Sequence, residues 1–321
     1  MFRLAWLLIC VAMAASMPAR AAPLAPGAVL VINSGEATLS VLDVASRTER
    51  QRIHVLREPH HWALSPDGAD LLIGDTAANE MLFLDPSNFA IKRRMTMADP
   101  YQMGFSPDGK YLVVAGLARA QVDIYDARSY ALVKRIALKS MPSHIDFSPD
   151  SAAAFVSLQG TGKLAAIDLR GMGVLWTVDC GPAPAGVLVH NGRVLVANMG
   201  SDNVAVVNAK TGAVERRVVI GRGVHQLFLS PDRKIIYVNS RVDSTTTALD
   251  PVTLAPIRVY KVPGGPDDMV FAPDGKIWIT LRFAAKVGIL DPKTGALETI
   301  PAGRSPHGIY IQGATNSGGA R

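Results

Sequence analysis

Cysteine is nearly missing from this chain. Of the two present, Cys10 lies in the first apolar run and Cys180 stands alone in the remainder. Without that first run no intramolecular disulfide can form, even in an oxidising compartment. Stability must therefore come from burial, for which about 300 residues are ample. Aromatic residues make up 6% of the 321, a poor supply of the stacking platforms on which single-stranded nucleic acid is bound. No run reaches the roughly 20 apolar residues of a membrane-spanning helix. Charge of one sign is also scarce, with 33 Lys and Arg set against 27 Asp and Glu. No Gly-rich phosphate loop and no His-Glu-x-x-His occur, and no stretch keeps a helical period for long.

What is present begins with a leader. Met1-Phe2-Arg3 is followed by the apolar "LAWLLICVAMAA" (Leu4–Ala15) and by Ala19-Arg20-Ala21, a small-x-small cleavage site. This order reads as a secretory signal peptide over residues 1–21. Ile9 before Cys10 argues against a lipoprotein anchor. The expectation is a periplasmic or secreted protein, cleaved near Ala21 and not stably inserted in a membrane. Cleavage removes Arg3 and Arg20 and no acid, so the formal charge falls from +6 to 31 − 27 = +4. The densest basic patches, "KRR" at 92–94 and "ERR" at 215–217, read as solvated strand edges.

A repeat fills the rest. "LSPDG" at 64–68 returns as "FSPDG" at 105–109, "FSPDS" at 147–151, "LSPDR" at 229–233 and "FAPDG" at 271–275, with "VHNG" at 189–192 in the one gap. Successive copies are 40 to 42 residues apart. A second marker keeps the same period: Asp43, Asp85, Asp126, Asp168, Asn208, Asp250 and Asp291 each end an apolar run. Every unit holds four short runs rich in Val, Ile, Leu and aromatics, separated by Pro, Gly, Asp and Asn. Four strands every ~40–45 residues is the period of a propeller blade.

The chain opens at "AVLVINS" (28–34), equivalent to a second strand, and ends at "SPHGIYIQ" (305–312), equivalent to a first. Six complete units and these two fragments make seven blades. The sequence thus predicts one all-β domain over 28–312, a seven-bladed propeller of four-stranded antiparallel blades, with the last blade closed by the N- and C-terminal strands. Residues 22–27 are a short lead-in and 313–321 a disordered tail.

Pro-x-x-Ile-x-Phe-Ser-Pro-Asp-Gly followed by "LVAN" (195–198) or "YVNS" (237–240) resembles the YVTN-repeat, YncE-like seven-bladed propellers. The resemblance covers nearly all of the mature chain. It departs at the fourth blade, where "VLVHNG" replaces the turn, and a literal Tyr-Val-Thr-Asn is absent. No Trp-Asp dipeptide ends the blades, which disfavours a WD40 propeller. The resemblance implies a periplasmic binding or scaffold protein, from a family whose members include nucleic-acid binders and partners of redox or cofactor systems. It implies no single ligand, and fold alone does not give function.

First strands begin at the mouth of the central channel, where ligands commonly sit. They start "EPHHW", "DPYQM", "MPSHI", "APAGV", "GVHQL", "GPDDM" and "SPHGI". Around the ring the second position reads His60, Tyr101, Ser143, Ala185, His225, Asp267, His307. The third reads His61, Gln102, His144, Gly186, Gln226, Asp268, Gly308. Five of the seven histidines fall in these 14 slots, while His54 and His190 lie outside them. Closure makes His225, Asp267, His307 and His60 consecutive, one arc of imidazole and carboxylate suited to a divalent metal such as Zn²⁺ or to a His base oriented by Asp. Arg241 and Arg282, just past second strands, are placed to meet an anion. Cys180 reads as inert.

The leading expectation is a monomeric propeller that binds a small-molecule ligand, a cofactor or a periplasmic partner protein at its His-rich mouth. A second is an enzyme, since "EPHHWALSPDG" is similar to the Pro-His-His of seven-bladed lactonases; only Glu58, Asp267, Asp268, Arg241 and Arg282 are available as the acid and Arg. The third is single-stranded nucleic-acid binding. The mouth offers it only Tyr101, Trp62 and Phe283, and the weak positive charge argues against it.

Overall fold

A computed structural model describes residues 27–312; the expected leader and C-terminal tail lie outside the described residues. The first three strands, β1 (Ala28–Asn33), β2 (Thr38–Asp43) and β3 (Glu49–His54), form a sheet with the last, β28 (Pro306–Ile311), in the order β28-β1-β2-β3. This is blade 7. Blade 1 is β4 (Pro59–Leu64), β5 (Leu71–Asp75), β6 (Glu80–Leu84) and β7 (Ile91–Thr96), and blade 2 is β8 (Gln102–Phe105), β9 (Tyr111–Gly116), β10 (Gln121–Asp126) and β11 (Leu132–Ala137). Blade 3 comprises β12 (Pro142–Phe147), β13 (Ala153–Leu158), β14 (Lys163–Asp168) and β15 (Gly173–Asp179). Blade 4 comprises β16 (Pro184–His190), β17 (Arg193–Asn198), β18 (Asn203–Asn208) and β19 (Val214–Val219). Blade 5 holds β20 (Val224–Leu229), β21 (Ile236–Ser240), β22 (Thr245–Leu249) and β23 (Pro256–Lys261). Blade 6 holds β24 (Pro266–Phe271), β25 (Ile277–Leu281), β26 (Lys286–Leu290) and β27 (Leu297–Pro301).

All pairings are antiparallel, and the innermost strands β28, β4, β8, β12, β16, β20 and β24 contact one another in a closed ring. Seven blades with the last one shared by both chain ends is the architecture the repeat predicts. Among the described residues no helix is long and apolar enough to cross a membrane.

The repeat motifs have local causes. In "SPDG" the Ser65 hydroxyl donates to Asp67 (2.6 Å) and accepts the Asp70 N–H (2.9 Å), and Gly68 takes φ +69°. Where Gly is replaced, Ser151 and Arg233 adopt φ 58° in its stead, a strained choice that only the surrounding turn enforces. In blade 4 the divergent copy is a two-residue Asn191-Gly192 hairpin between paired His190 and Arg193, both central residues at positive φ. The periodic Asp is an Asx turn: Asp126, for one, accepts the Arg128 and Ser129 N–H groups.

Packing follows from strand order. The inner three strands of each blade are mostly buried and the outermost mostly exposed, so the "KRR" and "ERR" patches sit on the edge strands β7 and β19. The apolar core lies between blades as well as within them: Val29, Leu42 and Ile309 of blade 7 share one cluster with Trp278 and Ile289 of blade 6. Each interface stacks two sheets face to face, as in a sandwich.

Candidate functional site: a histidine cluster in the channel

In a regular strand, successive side chains point to opposite faces. His60 and His61 do not, because their ring centroids are 4.9 Å apart. The cause is an irregularity in pairing: β4 matches β5 at Pro59–Asp75 and again at Trp62–Ile73, leaving the residues between out of register. The same break recurs at Pro142/Ile145, Pro184/Val187, Val224/Gln226, Pro266/Met269 and in β28 against β1. Such bulges re-aim side chains. Here they fall on the second and third positions of the inner strands.

Five histidines converge as a result. His307 lies 3.9 Å from His60 and 4.5 Å from His61, ring to ring. His61 lies 5.2 Å from His144, His144 lies 5.3 Å from His225, and His225 lies 6.0 Å from His307. Tyr101 stacks 4.1 Å from His60. None is a solvated rim residue, since His60, His61, His144, His225 and His307 are all between 1% and 7% exposed. Polar residues collected by water at an open mouth would not be so covered.

Their hydrogen bonding is incomplete. His60 Nδ1, His61 Nε2, His144 Nε2 and both nitrogens of His307 are buried without a partner. His144 Nδ1 is held by the Ser143 hydroxyl at 3.1 Å, which in turn meets Ser157 at 2.9 Å. Buried polar atoms are almost always satisfied, so this many unmet nitrogens in one place marks a site rather than a packing solution. Burial pushes His60, His61, His144 and His307 well below the ordinary imidazole range and His225 down to about 4. The rings are neutral at pH 7 and carry free lone pairs.

Asp267 is the anionic centre. Fully buried, it takes Arg241 Nε at 3.0 Å and Arg241 Nη2, and Arg282 Nη1 at 3.2 Å, and lies 2.8 Å from His225 Nδ1. His307 Nε2 is 3.9 Å away. Burial alone would raise its carboxyl. Arg241, with the neighbouring His307 and His225, overcomes this and holds it well below the usual carboxylate range. The two arginines placed by the sequence for an anion thus already face one.

Not every predicted site residue joins the cluster. Asp268 accepts the Met269 N–H at 2.8 Å and, across the blade boundary, the Ile309 N–H at 3.3 Å. Gln102 likewise accepts the Ile145 N–H at 2.8 Å. Both side chains tie one blade to the next. Burial, then the charge of Asp267, pushes Asp268 up to about 8. Burial raises the Tyr101 phenol to about 12, so it stays protonated. The metal set expected from order around the ring, His60, His225, His307 and Asp267, divides into two. His60, His61 and His307 form one triple and His225, Asp267 and His307 another, each with ligand atoms within 4.8 Å of one another. His61 joins the set because of the bulge. Glu58 is exposed in its loop. Trp62 packs edge-on against Tyr310 in the core, which leaves Phe283, 69% exposed, as the open aromatic of the three expected at the mouth. Cys180 is buried, its thiol raised to about 12 by burial.

Positioning residues on other strands escaped the sequence reading. Asn239 donates to the Asp267 carbonyl (3.1 Å), Thr280 to the His307 carbonyl (2.7 Å) and Ser34 to the Pro59 carbonyl (2.7 Å). In each case a polar residue at the end of a blade's second strand pins the channel residues of the following blade. Their signal was present in "YVNS", "WIT" and "VINS": a buried polar residue in an otherwise apolar strand needs a partner.

Solved structures share this architecture. Dihydro-heme d1 dehydrogenase NirN in complex with DHE matches with a TM-score of 0.68 at 16% identity, over 92% of this chain and 78% of that one. Hydrazine synthase of Kuenenia stuttgartiensis matches at 0.66 and 21% identity, over 78% and 88%. A functionally unknown protein from Desulfotomaculum acetoxidans matches at 0.73 and 12% identity, over 89% and 99%. At such identities the likeness is one of fold. No curated protein matches in sequence. The YNCE-like beta-propeller family profile matches residues 3–316, nearly the whole chain, and the chain belongs to that family.

Proposed function

We propose that this is an exported propeller, periplasmic or secreted, which binds a small ligand or cofactor at the histidine cluster in its channel and does no chemistry of its own. One observation carries the reading: five buried, neutral imidazoles converge with several ring nitrogens unpartnered. Leaving those atoms unmet costs free energy that a bound ligand returns. A protein of the same fold, NirN, is known in complex with DHE, which agrees with ligand binding by a chain of this fold. Nucleic acid fits less well, since the aromatics near the cluster are buried or packed, apart from Phe283.

The test is native mass spectrometry of the chain isolated from the cells that export it, beside a His60→Ala/His307→Ala double variant. An added mass on the wild-type chain, missing from a variant that melts cooperatively, supports the reading. Identical spectra for the two overturn it.

The contact between His225 and Asp267 favours one further reading, a lactonase-type enzyme in which His225 is the base, Asp267 orients it and Arg241 and Arg282 stabilise developing negative charge. Lactone hydrolysis abolished by His225→Gln supports it. No turnover of any lactone by the wild type removes it.

A further inference from the structure

We infer that His60, His61 and His307 form a three-imidazole site for one divalent transition-metal ion of the zinc or copper kind. The inference rests on the ligand-binding reading and names the ligand's class. The three residues come from β4 and β28, neighbours only because the ring closes, and their ligand atoms lie within 4.8 Å of one another. Metal–nitrogen bonds of about 2.0–2.1 Å in tetrahedral array require nitrogens about 3.3 Å apart. Binding an ion therefore requires the three rings to turn inward from their present spacing. The unpartnered atoms, His60 Nδ1, His61 Nε2 and the two of His307, are the kind of lone pair such an ion takes.

The rival triple, His225, Asp267 and His307, is closed to a cation. Both Asp267 oxygens already meet guanidinium groups, one from Arg241 and one from Arg282. A dication there would have to displace a guanidinium from the carboxylate to be ligated by it. Asp267 instead lies beside His307 Nε2, at 3.9 Å. A small closure there gives His307 the carboxylate–imidazole contact that commonly orients a metal-bound histidine, with Nδ1 turned to the ion. His144 is tethered through Ser143 and belongs to neither triple. Three neutral imidazoles without thiolate suit zinc or copper rather than calcium or magnesium. The fourth coordination position is left to water or an exogenous group.

Equilibrium dialysis of the EDTA-treated chain against Zn²⁺, with metal counted by plasma mass spectrometry, tests this. One ion per chain is expected. His60→Gln, His61→Gln and His307→Gln should each weaken binding by more than the about 100-fold that losing an outer-shell partner costs, while His54→Gln, exposed on the outer strand β3, stays at the wild-type value. Cobalt(II) titration of the unaltered chain gives a readout that no folding defect can mimic: intense visible bands of tetrahedral imidazole coordination are expected. Failure of the wild type to bind Zn²⁺ or to develop these bands overturns the inference, as does undiminished binding by folded His61→Gln. If no metal binds while native mass spectrometry finds an organic ligand lost from the channel variant, the metal assignment falls and the ligand-binding reading stands.

Discussion

The imidazole of His307, on the last strand of the chain, stands 3.9 Å from that of His60, on the first strand of blade 1. Between them lie nearly all the described residues in sequence and one blade boundary in space. His307 reaches that position through β28, which pairs with β1 and is held by Thr280 of blade 6 at its own carbonyl. The cluster is therefore complete only when the ring has closed, and closure and site formation are one event.

Removing residues 305–321 takes away β28 and exposes the edge of β1 together with the face of blade 6 that β28 covers. That truncation should abolish soluble, cooperatively melting protein. Removing only 313–321 should leave the melting temperature within a degree or so, because β28 and its partners stay intact. Calorimetry on both truncations checks this, and an unaltered melt for the longer one contradicts the closure.

Asp267→Asn should cost stability at pH 7. The carboxylate meets Arg241 and Arg282, whose side chains are 13% and 23% exposed. Without it two partly buried guanidiniums lose their counter-charge. Breaking a buried pair costs about 3–5 kcal/mol, and the residual solvent contact of both arginines places this case near about 3 kcal/mol. Urea unfolding measures it, and a loss under about 1 kcal/mol would show that the arginines find other partners.

The histidines set a pH dependence for the metal-free protein. Each of the five has its folded pKa depressed below its unfolded value near 6.5, so the stability it contributes is present above that pH and is lost as the pH falls toward the folded value. Each costs up to about 1.4 kcal/mol per pH unit through that window. Asp268 works the other way. Its pKa, raised to about 8, means stability lost as pH climbs from the unfolded value toward 8. Five groups against one make acidification dominate below pH 6.5. Melts between pH 7 and pH 5 should fall steeply, and less steeply for His61→Gln/His144→Gln. Equal slopes for the two proteins would mean that these rings are already charged in the folded state.

Backbone proximity near the channel gives a steric prediction. A Cβ on Gly74 would come 2.1 Å from the Pro100 carbonyl oxygen, whereas one on Gly173 would meet nothing within 4 Å. Gly74→Ala should destabilise by about 1–3 kcal/mol, the usual cost of overpacking, and Gly173→Ala by nearly nothing. Comparable melts for both would mean that blades 1 and 2 shift apart freely.

How far the sequence reached depends on the kind of interaction. The blades were legible because Ser65, Asp67 and Gly68 bond to their own turn and Asp126 to its own loop, so local chemistry repeats with the period. Membership of the channel ring was legible for the same reason: position in the repeat fixes position in the blade. Convergence was not. Whether His61 joins His60 depends on a pairing break between Pro59 and Trp62, and regular alternation would have sent the two rings apart. Gln102 and Asp268 occupy the same slot as His61, yet their side chains bond the backbone of the next blade. That choice depends on which N–H groups the neighbouring strand leaves unpaired. The Arg241–Asp267 contact likewise joins the second-strand end of blade 5 to the first-strand start of blade 6, a contact that no spacing within one repeat encodes.

Anomalous diffraction from crystals of the zinc-equilibrated protein, recorded above and below the zinc edge, tests the central claim most directly. One strong peak is expected in the channel, bounded by His60, His61 and His307, with Asp267 still held by Arg241 and Arg282. A channel without a peak, with the imidazoles turned apart and each bonded to a backbone carbonyl, would contradict it.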